Sequence, residues 1–154
     1  AKDIDHDLAI LKIEASLPAV TLADSKYADD GTEVLLTGFP IGSVLGLYPA
    51  THRGIIAATT PDVIPSAHSS QLSINILKRL EGQFMIYQLD ITAYPGNSGS
   101  PLYNAQSGEV LGILNKVFIK ESKETVLEKP SGISYAIPVK YLLELAKRKG
   151  LKVK

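Results

Sequence analysis

The sequence predicts an all-β body followed by one C-terminal helix. Three observations carry that prediction. Short apolar or alternating runs recur between Gly and Pro punctuation, the signature of successive strands. Helical spacing stands out at Val139, Leu142, Leu143 and Ala146, which fall at i, i+3, i+4 and i+7. Hydrophobic residues make up 45% and charged residues 21% of a 154-residue chain, enough for one domain with a buried core.

The elements follow in order. Residues 8–14 form a compact, mostly apolar run and are expected as a strand. Residues 33–39 form a second strand, opened by Gly31 and closed by Pro40, and residues 41–46 read as a loop. Residues 52–59 form a third strand that Pro61 ends, since proline cannot extend a central ladder. Residues 72–76 alternate apolar and polar, the period of a half-buried strand. Residues 84–89 form the next strand. Between these two, residues 78–83 with Gly82 read as a hairpin turn, with a helical turn at 76–80 as the alternative. Residues 110–118 make a long apolar strand interrupted at Gly112. Residues 119–131 are charged, carry Pro130 and read as an exposed loop. Pro138 suits the first turn of the helix. Lys147, Arg148 and Lys149 complement its negative end, and Gly150 can take the left-handed cap. No internal repeat or low-complexity segment is visible.

Composition excludes several functions. Lys plus Arg and Asp plus Glu each number 16, so the net charge is zero and no field draws the chain to nucleic acid or anionic lipid. Without cysteine there is no disulfide scaffold, thiol catalysis or Cys-based zinc site. His6, His52 and His68 are scattered without ligand-like spacing, so no metal site is expected. No apolar run reaches the roughly 18 residues of a membrane span. The chain opens at Ala1 with neither Met nor a signal-like segment, the start expected of a processed or trimmed piece.

Chemistry concentrates at residues 90–102, where Gly96 and Gly99 flank Asn97 and Ser98. A serine hydroxyl is a weak nucleophile. It needs a positioned base, and backbone N–H donors beside the electrophile. Glycine before the serine lets the backbone turn its N–H groups toward one point, and glycine after it leaves room for substrate. Taken alone, Gly-Asn-Ser-Gly is equally an ordinary β-turn.

Four stretches in order sharpen that reading. They are Asp7-Leu8-Ala9-Ile10-Leu11-Lys12-Ile13; Leu22-Ala23-Asp24-Ser25 with residues 31–42; Gly96-Asn97-Ser98-Gly99-Ser100-Pro101-Leu102; and residues 108–113 with 132–138. Together they span nearly the whole chain. In them the sequence resembles the trypsin-like serine peptidases, most closely the bacterial HtrA/Do-like branch. The resemblance implies a double β-barrel with the active site between the barrels. It implies Ser98 as nucleophile, the N–H groups of Gly96 and Ser98 as oxyanion hole, and Asp7 as the carboxylate that orients a histidine. Asp3 and Asp5 are expected to be solvated charges or caps. Thr92, Asn115, Lys116, Val117 and Ile133 would bind substrate around the specificity pocket. None of these five is acidic, so small or medium aliphatic side chains are expected before the cut. Ser100 departs from the family, which usually has glycine there.

The histidine departs further. The family places its base well upstream of the aspartate, and six residues precede Asp7 here. His6 is adjacent to Asp7, so on an extended segment the two side chains point apart. His52 falls on a second-barrel strand as a polar strand residue, and His68 in a polar loop. The expectation is therefore a C-terminal fragment of the peptidase domain that lacks its base and is inactive alone. Residues 1–31 would be a remnant of the first barrel with the linker. Residues 32–138 would be a complete second barrel, and residues 139–154 the helix and tail. A truncated first barrel would leave the strand at residues 8–14 as an unpaired apolar edge, open to self-association. The partner implied is a polypeptide substrate, the setting extracytoplasmic, and the chemistry free of any cofactor. The alternative functions are a pseudo-peptidase or peptide-binding module on the same fold, and a structural β-domain in which residues 96–99 are only a turn.

Overall fold

A computed structural model describes residues 1–40, 46, 48–62, 84–117 and 132–153. The strands expected at 72–76, the turn at 78–83, the loop at 119–131 and His68 lie outside the described residues, as does most of the loop at 41–46.

Six strands close a barrel: β3 (Glu33–Gly38), β4 (Ala50–Pro61), β5 (Met85–Asp90), β6 (Pro101–Asn104), β7 (Val110–Val117) and β8 (Ile133–Pro138). Around the barrel they run β3-β4-β5-β8-β7-β6, and β6 pairs back to β3. Every pairing is antiparallel. Alternation sets the inner face: Val34 and Leu36 on β3 point inward with Ile56 on β4, Leu89 on β5, Leu102 on β6 and Leu114 on β7. Each of these is essentially without exposure. Each contributes about 1.5–3 kcal/mol by leaving water. Closure also removes the open sheet edge that would otherwise invite pairing with other chains.

The N-terminal residues lie outside the barrel. A two-stranded ladder joins β1 (Lys2–Asp3) to β2 (Leu8–Ala9), with Asp3 opposite Leu8. The strand expected at 8–14 is therefore shorter, and its first two residues have a partner in their own chain rather than an open edge. Ile10 still exchanges backbone hydrogen bonds with Ala1 (2.8 and 2.7 Å), and residues 11–14 have no ladder beside them among the described residues. Leu11 is 81% and Ile13 59% exposed, and Leu17 and Val20 farther along are exposed as well. Residues 21–31 are strapped to the barrel wall. The Ala23 N–H donates to the Val110 carbonyl (3.0 Å), and the Gly31 N–H to that of Ile56 (2.7 Å). The Ala28 N–H donates to the Tyr87 hydroxyl at 2.9 Å.

The helix α1 spans Val139–Arg148. Pro138 occupies its N-cap position, one residue before the expected first turn. Gly150 takes the left-handed conformation (φ 64°) and closes the other end. There the Leu151 N–H reaches the Ala146 carbonyl (2.9 Å) and the Gly150 N–H that of Lys147 (3.1 Å). The buried face is rotated from the expected one. Val139 and Ala146 are buried as anticipated, but Tyr141 and Leu145 are buried with them, while Leu142 and Leu143 are half-buried. The reason is the hairpin: Leu8 packs with Ile137, Tyr141 and Leu145 and covers that side of the helix. No helix among the described residues is long and apolar enough to cross a membrane.

Candidate active site

The loop that carries Ser98 follows from its glycines. Gly96 (φ 100°) and Gly99 (φ 87°) both sit in the region that other residues avoid, and they turn the chain sharply around Ser98. The turn uses the N–H groups of Asn97, which donates to the Tyr94 carbonyl (3.1 Å), and of Ser100, which donates to that of Asn97 (3.0 Å). The N–H groups of Gly96 and Ser98 meet no acceptor among the described residues. Ser98 itself is exposed.

The strand β7 clamps this loop. The Gly99 N–H donates to the Leu114 carbonyl (2.7 Å), and the Leu114 N–H donates to that of Ser100 (2.9 Å). Beneath the loop, β3 ends in Gly38. A Cβ there would lie 2.4 Å from Ser100 Oγ and 2.7 Å from Asn97 Oδ1, so only glycine lets the loop rest on the strand. Asn97 is wholly buried, and its amide nitrogen and oxygen have no partner among the described residues.

Asp7 reaches the same place from the other side. It is the one non-glycine residue with positive φ (50°) among the described residues, at the tip of the turn between β1 and β2. Aspartate tolerates that conformation better than most side chains. Its N–H donates to the Ile4 carbonyl at 3.3 Å. Its carboxylate accepts a 2.7 Å hydrogen bond from Asn115 Nδ2. Asn115 can do this because β7 bulges there: Leu114 pairs with Ala136 and Lys116 with Tyr135, leaving Asn115 as the extra residue. A bulge re-aims one side chain out of the regular alternation. Adjacent residues Leu114 and Asn115 thus hold the two halves of the site, one through backbone and one through side chain.

Asp7, Ser98, Gly99, Ile113, Leu114, Asn115 and Ile137 line one cleft of about 260 Å³. Of the five residues expected around the specificity pocket, Asn115 lines this cleft. Thr92 and Ile133 are not among its lining residues; Thr92 follows β5 and is half-buried, and Ile133 opens β8 opposite Asp90. Lys116 and Val117 continue β7 beyond the bulge, opposite Tyr135 and Ser134.

Neither described histidine lines the cleft. The His6 ring stacks on Tyr141 (centroids 4.5 Å apart, 23° between planes) and meets Phe84 edge-on at 4.7 Å. Its Nδ1 lies 3.0 Å from Asp3 Oδ2. His52 is a half-buried residue of β4 with its ring 5.8 Å from that of Tyr94, and its buried Nε2 has no partner among the described residues.

Asp3 differs from its expected role as a solvated charge. It is buried, and its carboxylate receives Arg148 Nη2 and His6 together. Burial disfavours the carboxylate, but the hydrogen bonds from His6 and Arg148 outweigh it and hold the carboxyl below its ordinary 3.8. Tyr141 is shifted the other way. Burial, with the hydrogen bond to Tyr27, pushes its phenol up to about 12. It stays protonated between the Tyr27 hydroxyl (2.9 Å) and the Met85 N–H (3.0 Å), which donates to it. No cluster of His, Asp and Glu suited to a metal ion occurs among the described residues.

Known proteins share this arrangement of sequence and fold. The trypsin-like peptidase domain family matches residues 1–113. A probable periplasmic serine endoprotease, DegP-like, from Halomonas elongata is 32% identical over 145 residues, which are 94% of this chain and 25% of that protein. A serine protease, Do-like HtrA, from Lactobacillus helveticus is 34% identical over 140 residues, 89% of this chain and 29% of that protein. The chain thus spans about a quarter of the length of these curated relatives. Among solved structures, an HtrA-type protease AlgW with a decapeptide superposes with a TM-score of 0.68 at 33% identity, covering 94% of this chain and 37% of that one. A barrel that presents a Gly-Asn-Ser-Gly loop, matched to this family along most of its length and to these relatives almost end to end, has one consistent placement. The chain belongs to the trypsin-like peptidase domain family, in its HtrA/DegP-like branch.

Proposed function

We propose that this chain carries the nucleophile and the orienting carboxylate of a serine endopeptidase, and that a histidine from polypeptide outside it supplies the base. The observation that carries the proposal is the shared cleft: Asp7, fixed by Asn115, and Ser98 line the same 260 Å³ space. In the reaction, histidine takes the proton of Ser98 Oγ as that oxygen bonds the scissile carbonyl carbon. The carbonyl oxygen becomes an oxyanion, which the free N–H groups of Gly96 and Ser98 stabilise. The histidine then gives the proton to the leaving amine, the C–N bond breaks, and an acyl-Ser98 ester remains for water to hydrolyse. Asp7 stabilises the imidazolium and fixes its tautomer, and Asn115 restrains Asp7.

On this reading residues 1–31 belong to the first barrel and the linker, residues 32–138 form the second barrel, and residues 139–154 the helix and tail. The substrate is a polypeptide with a small or medium aliphatic residue before the cut, bound near Thr92, Asn115, Lys116, Val117 and Ile133. The enzyme works outside the cytoplasm, as the periplasmic naming of its relatives suggests, and needs no cofactor. The second reading is a peptide-binding module without turnover, favoured by the lack of a histidine among the cleft's lining residues.

The test is direct. The purified 154-residue chain is incubated with a peptide library and is expected to leave it uncut. The full-length polypeptide is expected to cut after aliphatic residues and to take a fluorophosphonate label on Ser98. Cleavage by the 154-residue chain that Ser98→Ala abolishes would place the base inside the chain. A full-length protein that binds peptide but neither cuts nor labels is the binding module.

A further inference from the structure

The hairpin that presents Asp7 has almost no sheet of its own. Its ladder consists of Lys2 opposite Ala9 and Asp3 opposite Leu8, with Ala1 and Ile10 exchanging backbone bonds at the open end (2.7 and 2.8 Å). An isolated two-stranded hairpin is marginal at best in water. A non-glycine residue held at φ 50° adds cost at its tip. Something other than the ladder must therefore fix the turn, and the side chains show what it is.

Asp3, four residues before Asp7, is buried, and Arg148 from the last turn of α1 donates Nη2 to its Oδ2. Within the turn, His6 closes on Asp3 twice. Its backbone N–H donates to Asp3 Oδ1 at 3.3 Å, and its ring Nδ1 lies 3.0 Å from Oδ2. The other face of that ring is stacked on Tyr141 of α1. Leu8, on the far side of Asp7, is packed into Ile137, Tyr141 and Leu145. The residues flanking Asp7 on both sides, His6 and Leu8, are thus seated on one helix, and Asp3 ties the turn to the end of that helix.

We propose that Arg148 and Asp3 are positioning residues for Asp7: helix α1 grips the hairpin through this pair and so places the Asp7 carboxylate against Asn115. The significance for catalysis rests on the reading of Asp7 as the orienting carboxylate; the grip itself does not. Neither Arg148 nor Asp3 lines the cleft. Both act on the reacting groups only through the turn. The C-terminal helix becomes a working part of the site rather than a lid on the barrel, and a force that shifts its last turn is felt at Asp7.

The 154-residue chain tests this by NMR, with no need for turnover. Two signals report the position of Asp7: the exchange rate of its amide, bonded to Ile4, and the side-chain amide protons of Asn115, bonded to its carboxylate. The amides of Leu36 and Leu89 report the barrel. In Arg148→Ala the Asp7 amide is expected to exchange at least ~10-fold faster, as local opening becomes easier than global unfolding. The Asn115 side-chain protons should move to the shifts of a solvated amide, with Leu36 and Leu89 unchanged. Arg148→Lys, which keeps the charge, should recover part of both changes, and Lys147→Ala should cause neither. If Arg148→Ala does not fold, Asp3→Asn decides through the same two signals at nearly unchanged volume. Asp7 and Asn115 signals that match those of the unmodified chain in whichever variant folds overturn the proposal. These signals read position whatever the role of Asp7. The catalytic assignment fails separately, if Asp7→Asn leaves the turnover of the full-length enzyme intact.

Discussion

Ser98 and Asp7 face one cleft but are held there by two different kinds of structure. Ser98 rides on a loop bonded on both sides to β7, within six strands that close on themselves. Asp7 rides on a two-residue ladder outside that barrel, kept in place by one asparagine, one arginine, one stacked histidine and one buried leucine. A closed ladder distributes a local loss over many neighbours. A latch of a few side chains does not. The Ser98 loop is therefore built to persist, and the Asp7 carboxylate is placed by contacts that can be removed singly.

The largest expected effect tests the barrel side. Leu36 is fully buried at the centre of the core, and Leu36→Ala should lower the unfolding free energy in urea by about 3–5 kcal/mol. Because the latch rests on the barrel, hairpin signals should be lost no later than barrel signals. A hairpin that outlasted the barrel would invert the comparison.

The next effect separates the two regions. Leu8 joins the hairpin to Ile137, Tyr141 and Leu145, and Leu8→Ala should cost about 2–3 kcal/mol of hairpin protection in hydrogen exchange. The amides of β3 and β5 should keep their protection. An equal loss in both would mean that hairpin and barrel are one cooperative unit.

The smallest is a pH effect on the latch. The Tyr141 phenol is raised from its ordinary value near 10 to about 12. A raised pKa gives stability that is complete below the unfolded value and is lost as pH climbs through the folded one. Between pH 10 and 12 the unfolded chain releases this proton more readily, so about 2 kcal/mol should disappear across that window. Urea melts at pH 9 and pH 11.5 should differ accordingly, and Tyr141→Phe should flatten the difference.

Much of the barrel was legible. Its inward residues alternate, and Gly and Pro mark where strands begin and end, so β3, β4, β5 and β7 fall close to their expected places. The tight turn around Ser98 was legible because glycines at 96 and 99 can take a left-handed conformation, and both do. What escaped depended on contacts between residues distant in sequence. Asn115 was expected around the specificity pocket; its bond to Asp7 went unforeseen, because a bulge is invisible in an apolar run. Asp3 looked like a spare surface charge, because its partner Arg148 lies 145 residues away and seemed to belong to the helix dipole. The strand expected at 8–14 is confined to Leu8–Ala9, with Ile10 bonded to Ala1, because the residues beyond have no ladder among the described residues, which periodicity alone cannot foresee. The helix face was misjudged for the same reason: Tyr141 is covered by the hairpin as well as by the barrel.

Gly38 has a consequence for how this chain tolerates change. Its missing side chain leaves the space that Asn97 and Ser100 occupy, with 2.4 Å to the nearer atom. Any replacement at this one codon pushes from beneath on the residues that bracket Ser98. In a genetic screen it would behave like an active-site lesion, although it touches neither substrate nor carboxylate and sits on an otherwise ordinary strand. The inheritable fragility of this loop extends one layer below the residues that line the cleft.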